Sequence, residues 1–139
     1  MLTEEKKTIL IMHAKQAAGF SYSPYSGFRV GAALLCSDDS IILGTNVENR
    51  SYGLTNCAER SAFFTAVSAG KREFLALAVF SPDHNKPLPP CGACRQVISE
   101  FTGMNFPVIM AGTDNVIEKS IGELLPCDAL HEFKDKMHG

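Results

Sequence analysis

The chain is expected to form an α/β fold: a three-layer α/β/α sandwich around a mixed five-stranded sheet. Three observations lead there. Apolar runs of strand length alternate with helix-like segments, and the order strand–helix–strand occurs twice, over 41–80 and 74–111. Such units favour parallel neighbours with helices on both sheet faces. The last two strands are separated only by residues 112–115, too short a link for a parallel crossover, so that pair is expected to be antiparallel.

Each element has a local reason. Thr3 stands where a helix cap belongs, and Glu4 and Glu5 put negative charge in the first turn. Leu10, Ala14, Ala17 and Ala18 then share one apolar face until Gly19. His13 reads as an ordinary residue of that helix. Residues 22–27 are turn-rich, with Pro24 and Gly27. Residues 28–35 are nearly all apolar, with Arg29 the exception, which suits a central buried strand. Residues 37–40 form a hairpin turn and 41–45 return as a second strand. A polar loop over 46–56 leads to a helix over 57–69, stopped by Gly70. Residues 74–80 are a third strand, and 81–90, with four prolines, a loop. A helix follows over 91–101, then strands over 106–111 and 116–119. Residues 121–125 read as a helical turn closed by Pro126, and 128–137 as a last helix. Without linker or repeat, residues 1–139 are expected to be a single domain.

Bulk properties narrow the function classes. At 45% hydrophobic and 20% charged residues, the chain can build one ordinary globular core. A net charge of −2 lacks the basic footprint of a nucleic-acid binder. No apolar run approaches the roughly 18 residues of a membrane span. Residues 1–7 carry no signal-peptide pattern, and five cysteines are an odd number, so a reducing cytoplasmic setting is expected rather than disulfides.

Two short stretches carry the chemistry. One is Pro90-Cys91-Gly92-Ala93-Cys94, the other Asn56-Cys57-Ala58-Glu59-Arg60. A CxxC pair opening a helix sets two sulfurs on one face, where the helix N-terminus favours the thiolate. Thiolates suit Zn²⁺, and Cys57 offers a third. No second CxxC or CxxH supplies a fourth ligand. Three protein ligands leave one position open, as catalytic zinc sites do. Buried apolar thiols would be the plainer account, and Cys36 and Cys127 are read that way. Glu59, two residues after Cys57, suits a proton carrier beside the metal. It also has a reading without chemistry: with Asn56 as N-cap, Glu59 stands at the third helical position of a capping box.

Cys57-Ala58-Glu59 followed by Pro90-Cys91 and Cys94 resembles the zinc deaminase signature, in which three cysteines hold the metal and the glutamate is acid and base. Residues 22–34 (Tyr-Ser-Pro-Tyr-Ser-Gly-Phe-Arg-Val-Gly-Ala-Ala-Leu), Asn46-Val47-Glu48-Asn49, Ser51-Tyr52 and Glu123-Leu124-Leu125-Pro126 further resemble the small homotetrameric cytidine deaminases, in the same order along most of the chain. An antiparallel final strand pair is similar to the branch acting on free nucleosides.

The resemblance implies a zinc-dependent hydrolase. It would turn cytidine and deoxycytidine into uridine and deoxyuridine, with release of ammonia, as in pyrimidine salvage. Cys57, Cys91 and Cys94 would hold Zn²⁺. Glu59 would take a proton from the attacking water, deliver it to ring N3 and protonate the leaving amino group. Phe28, Asn46, Glu48 and the Ala58 backbone would bind the nucleoside, and Tyr52 would reach a neighbouring subunit's site. Arg60 is expected to offset the thiolate charge through hydrogen bonds to sulfur, and Gln96 to donate to a cysteine sulfur. Arg95 reads as a surface or interface residue. After Pro126 the segment departs from the family pattern, and neither Leu130 nor Phe133 inherits a role there. The expected partners are a small nucleoside and copies of this chain, with no nucleic acid and no membrane. The rival readings are a deaminase of another aminopyrimidine nucleoside such as blasticidin S, a nucleic-acid editing protein, and a structural zinc module.

Overall fold

The computed structural model describes residues 2–131 and 133. Helix α1 (Glu4–Ala18) starts where Thr3 Oγ1 accepts the Lys6 amide at 3.1 Å. Strands β1 (Gly31–Cys36) and β2 (Ile41–Thr45) form a hairpin whose turn places Asp39 in the left-handed region, at φ 68°. A single 3₁₀ turn, Tyr52–Leu54, precedes α2 (Ala58–Ser68). Then come β3 (Phe74–Phe80), α3 (Gly92–Phe101), β4 (Pro107–Ala111), β5 (Val116–Ser120) and α4 (Ile121–Leu124). Ser120 and Glu123 close a reciprocal capping box on α4.

The sheet is mixed and five-stranded, in the order β2-β1-β3-β4-β5. Only β3 and β4 pair in parallel; β4 and β5 are antiparallel, as the short link requires. The expectation of two sets of parallel neighbours needs correction. The tight hairpin seats β2 on one edge of β1, so β3 takes the other edge, antiparallel to it. Strands β2 and β3 run in the same direction with β1 between them.

The first strand also starts later than the apolar run suggests. Phe28 to Val30 leave the sheet because side chains take most of their backbone groups; of these, only the Val30 carbonyl accepts a backbone amide, that of Asn46, among the bonds described. Asn46 donates to the Phe28 carbonyl and accepts from the Val30 amide, and Asp83 accepts from the Arg29 amide. Of the helix expected over 128–137, residues 128–130 form a turn and His131 and Phe133 are helical. The rest of that expectation lies outside the described residues.

Alternation along the central strands divides the core. Ala32, Leu34, Leu77, Val79 and Val108 face Ala62, Phe63 and Ile98 of α2 and α3. Ala33, Leu35, Ala76, Ala78 and Ile109 face Leu10, Ala14 and Ala18 of α1. This is the expected three-layer sandwich. Phe63 anchors the first layer, edge-on to Phe74 at 5.2 Å between ring centroids and stacked with Phe101 at 6.0 Å.

Gly44 fixes how closely α2 lies on the sheet. A Cβ there would stand 2.3 Å from the Ala58 carbonyl oxygen and 2.4 Å from the Ala62 nitrogen. Both obstacles are backbone, so the helix itself would have to move. Gly44→Ala is therefore expected to destabilise the fold by about 1–3 kcal/mol, the usual cost of overpacking. The urea midpoint, at constant m-value, measures it; an unchanged midpoint would show that α2 can lift freely.

Candidate active site

The loops before α2 and α3 leave the same ends of the co-directional strands β2 and β3. Both helix N-termini therefore meet at one edge of the sheet, where open α/β folds bind ligands. Cys57 is the N-cap of α2 and Cys91 the N-cap of α3. Cys94 lies one turn into α3 and is fully buried. Their three sulfurs lie within 4.8 Å of one another, with Cys57 and Cys91 3.8 Å apart. Two thiolates on a tetrahedral Zn²⁺ with bonds of about 2.3 Å would stand about 3.8 Å apart, so the spacing fits. No fourth metal-ligating side chain joins the cluster among the described residues. That argues against a closed structural site.

Arg60 stands where the charge balance requires it. Its Nη2 donates to Cys57 Sγ at 3.3 Å, and its Nε is buried without a hydrogen-bond partner. An orphaned guanidinium donor against soft sulfurs is what a site awaiting more thiolate charge would hold. The Cys94 thiol, then Arg60 and Cys91, draw the Cys57 thiol down to about 5 despite its burial. Cys94 moves the opposite way, because it shares a proton with Cys57 and is buried. Cys57 is thus drawn toward the thiolate, and a dication would replace the proton that Cys94 retains.

Glu59 is buried, at 5% exposure, on the first turn of α2. The capping-box account of it fails. Cys57, not Asn56, is the cap, so Glu59 sits one position too early to reach back. The Asn56 amide instead donates to Ser61 Oγ at 3.2 Å. Burial, reinforced by Cys57, pushes the Glu59 carboxyl up to about 7, against the opposing pull of its own backbone N–H and of Arg60.

A cavity of about 290 Å³ opens over this cluster. Phe28, Asn46, Glu48, Ala58 and Glu59 all line it, together with Cys57 and Cys91. Phe28 is not a core strand residue; its ring lies at the wall. Ala58 is fully buried and begins α2. Val30, Leu88 and Pro89 complete the apolar lining. Sequence reasoning missed these three, having assigned Val30 to a strand and 81–90 to an unspecified loop.

Asn46 and Glu48 have a second task that spacing did not reveal. Asn46 Oδ1 accepts from Val30 N at 3.0 Å and Ser21 Oγ at 2.5 Å, which occupies its acceptor, while Nδ2 keeps one hydrogen after serving Phe28. Glu48 Oε1 accepts the Tyr25 and Ser26 amides at 3.0 and 3.1 Å, and Oε2 accepts the Ser26 hydroxyl. These bonds, the hydroxyl foremost, hold the Glu48 carboxyl below its usual range.

Other expectations are corrected. Gln96 does not approach a cysteine sulfur. Two residues past Cys94 it faces another side of α3, and its Nε2 lies 3.4 Å from Asp128 Oδ1. Arg95, expected at the surface or an interface, is tied into its own chain. It is part-buried, donating to the Pro90 carbonyl at 2.8 Å and the Leu124 carbonyl at 2.7 Å, so it ties the Cys91 loop to α4. Cys36 is buried as expected, but Cys127 is exposed, with φ 57°. Tyr52 is 88% exposed on its 3₁₀ turn and does not line this cavity.

Known proteins are similar in sequence and fold. The profile of the cytidine and deoxycytidylate deaminase zinc-binding region matches residues 4–110. The cytidine deaminase of Halalkalibacterium halodurans is 50% identical over 121 residues, spanning 86% of this chain and 91% of that protein. The crystal structure of cytidine deaminase from Burkholderia pseudomallei superposes with a TM-score of 0.83 at 46% identity, over 91% of this chain and 98% of that one. A blasticidin-S deaminase of Bacillus cereus is more distant, 32% identical over 104 residues, 70% of this chain and 74% of that protein. The sulfur geometry, the open metal position and these likenesses agree: the chain belongs to the zinc-binding cytidine and deoxycytidylate deaminase family.

Proposed function

We propose that the chain hydrolyses cytidine and deoxycytidine to uridine and deoxyuridine, releasing ammonia. One observation carries the reading: a buried glutamate, free of any capping duty, stands in a nucleoside-sized cavity beside a three-thiolate cluster with an open position. Zinc bound by Cys57, Cys91 and Cys94 would supply Lewis acidity that makes water a nucleophile near neutral pH.

The remaining chemistry belongs to the chain. A Glu59 carboxyl near 7 can both accept and return a proton at neutral pH. It takes one from the attacking water and gives it to ring N3 as the C4–O bond forms. It then takes the proton of the new C4 hydroxyl and gives it to the amino group, so that the C4–N bond breaks, the C4 carbonyl forms and ammonia leaves. Phe28 offers an apolar face to the base, and the Ala58 backbone an edge. The Asn46 hydrogen that Phe28 leaves free, and the remaining lone pairs of Glu48, suit ribose hydroxyls. The Glu48 carboxylate, held ionised, disfavours a 5′-phosphate nearby.

A homotetramer is part of this reading. An aromatic as exposed as Tyr52, outside its own cavity, fits contact with a neighbouring subunit's site. So is a cytoplasmic setting, since the site needs its cysteines reduced and none of the five is paired.

The test is ammonia release from cytidine by purified protein, with zinc measured on the same sample and blasticidin S as the rival substrate. Turnover of cytidine with bound zinc is expected. Zinc without cytidine turnover, but with blasticidin S turnover, would move the chain to the rival; zinc with neither would return it to a structural role.

A further inference from the structure

The two walls of the cavity are joined outside it by one ion pair. The Asp83 carboxylate accepts three hydrogen bonds from Arg29: from its backbone N–H at 2.8 Å, from Nε at 3.0 Å and from Nη2 at 2.7 Å. Arg29 directly follows Phe28, which lines one wall. Asp83 belongs to the 81–90 loop, whose Leu88 and Pro89 line the other. Beside the pair, the Phe28 ring meets His84 edge-on, with centroids 6.4 Å apart and planes at 82°. Arg29 and Asp83 stand 54 positions apart and share no strand.

Both partners are anchored from behind. Asn46 holds the Phe28 carbonyl and the Val30 amide, and Ser26 Oγ accepts the Phe28 amide at 2.9 Å. The loop is held by the turn between β4 and β5. Its Asn85 carbonyl accepts the Asp114 amide at 3.3 Å, and a Cβ on Gly112 would stand 2.4 Å from that same oxygen. Ser81 Oγ accepts the Asp83 amide at 3.1 Å. Each wall is thus braced on its own side, and the Arg29–Asp83 contact bridges the two segments.

We propose that Arg29 and Asp83 are a positioning pair that sets the width of the nucleoside slot, and so governs substrate binding rather than the chemical step. This rests on the cytidine deaminase reading. The side chains are half-exposed and about one-quarter exposed, at 50% and 26%, so the ion pair alone is worth little. Its effect comes from forked geometry and from the backbone bond, which restrain the residue that carries Phe28's neighbouring peptide. Arg29 holds Asp83 down to about 2, so the pair stays ionised at any ordinary working pH. Neither residue touches the sulfur cluster or Glu59, and their loss should leave both in order.

The experiment is steady-state kinetics on cytidine with Asp83→Ala, Arg29→Ala and the double variant, with zinc content measured on each. Asp83→Ala removes all three bonds and should raise KM about tenfold, as lost charge-assisted hydrogen bonds to a positioned segment do, with kcat within about twofold. Arg29→Ala keeps the backbone bond and should raise KM about threefold. The double variant should resemble Asp83→Ala alone, because the two act through one contact. An unchanged KM in zinc-replete Asp83→Ala overturns the proposal, as does a kcat that falls as far as KM rises. If Asp83→Ala does not fold, Asp83→Asn carries the test: it still accepts the Arg29 amide, loses the ion pair, and should match Arg29→Ala. If wild-type protein does not deaminate cytidine, the functional reading fails by itself. Hydrogen exchange at the Arg29 amide then judges the pair: faster exchange in the Asp83 variant supports it, and unchanged protection overturns it.

Discussion

Replacing Glu59 with glutamine is expected to lower kcat on cytidine by about 10²–10⁴-fold, the range for a general acid and base, while the protein keeps its zinc. The substitution nearly preserves volume in a buried position on the first turn of α2, so packing against the helix survives. It removes only the capacity to take and return a proton. Stability should not fall, because a carboxyl that burial has pushed up to about 7 makes little use of its charge in holding the fold. Metal content should not change either, because Glu59 is absent from the three-sulfur cluster. Two results would be decisive against this assignment. Retained turnover would show that another group carries the proton, and loss of zinc would make Glu59 a ligand.

Arg60→Ala should weaken zinc binding by about 10–100-fold, the usual consequence of losing a group that orients and balances metal ligands. Three thiolates and one Zn²⁺ would leave a net negative charge in a half-buried pocket. The N-termini of α2 and α3 offset part of it. The Arg60 guanidinium, 3.3 Å from Cys57 Sγ and with Nε aimed at no other partner, offsets the rest. Alanine leaves that charge unbalanced in a poorly solvated place. Lysine should restore the charge but not the fork, and so fall between wild type and alanine. Competition with a chromophoric zinc chelator at constant pH measures the order. Equal affinity in all three proteins would remove Arg60 from the site.

The three-cysteine cluster was legible because each of its two pieces is local. Cys91 and Cys94 sit at i and i+3 of one helix start, and Cys57 and Glu59 within one turn of another. The spacing of three thiols and a carboxylate states its chemistry before any fold is known. The antiparallel end of the sheet was legible for a similar reason, since the link over 112–115 can reach only one way. The placement of Gln96 was not legible, because the helix turns its amide toward Asp128, which is distant in sequence. The anchoring of Arg95 was not legible because its acceptors are backbone carbonyls, one of them 29 residues away, which no side-chain pattern announces.

What the chain alone determined, then, was the chemistry of the site and the class of fold. Both follow from patterns that repeat within a few residues: helix starts, alternation, turn length and ligand spacing. The tertiary structure decided the rest. It seated β3 against β1 instead of β2, because the hairpin had already taken the other edge. It drew Phe28 out of the strand, because Asn46 and Asp83 outcompete a ladder for that backbone. It paired Arg29 with Asp83 outside the cavity, a contact that depends on where two separate loops end once the sheet is assembled. Such contacts depend on the register of the whole sheet, so no local stretch of sequence contains them.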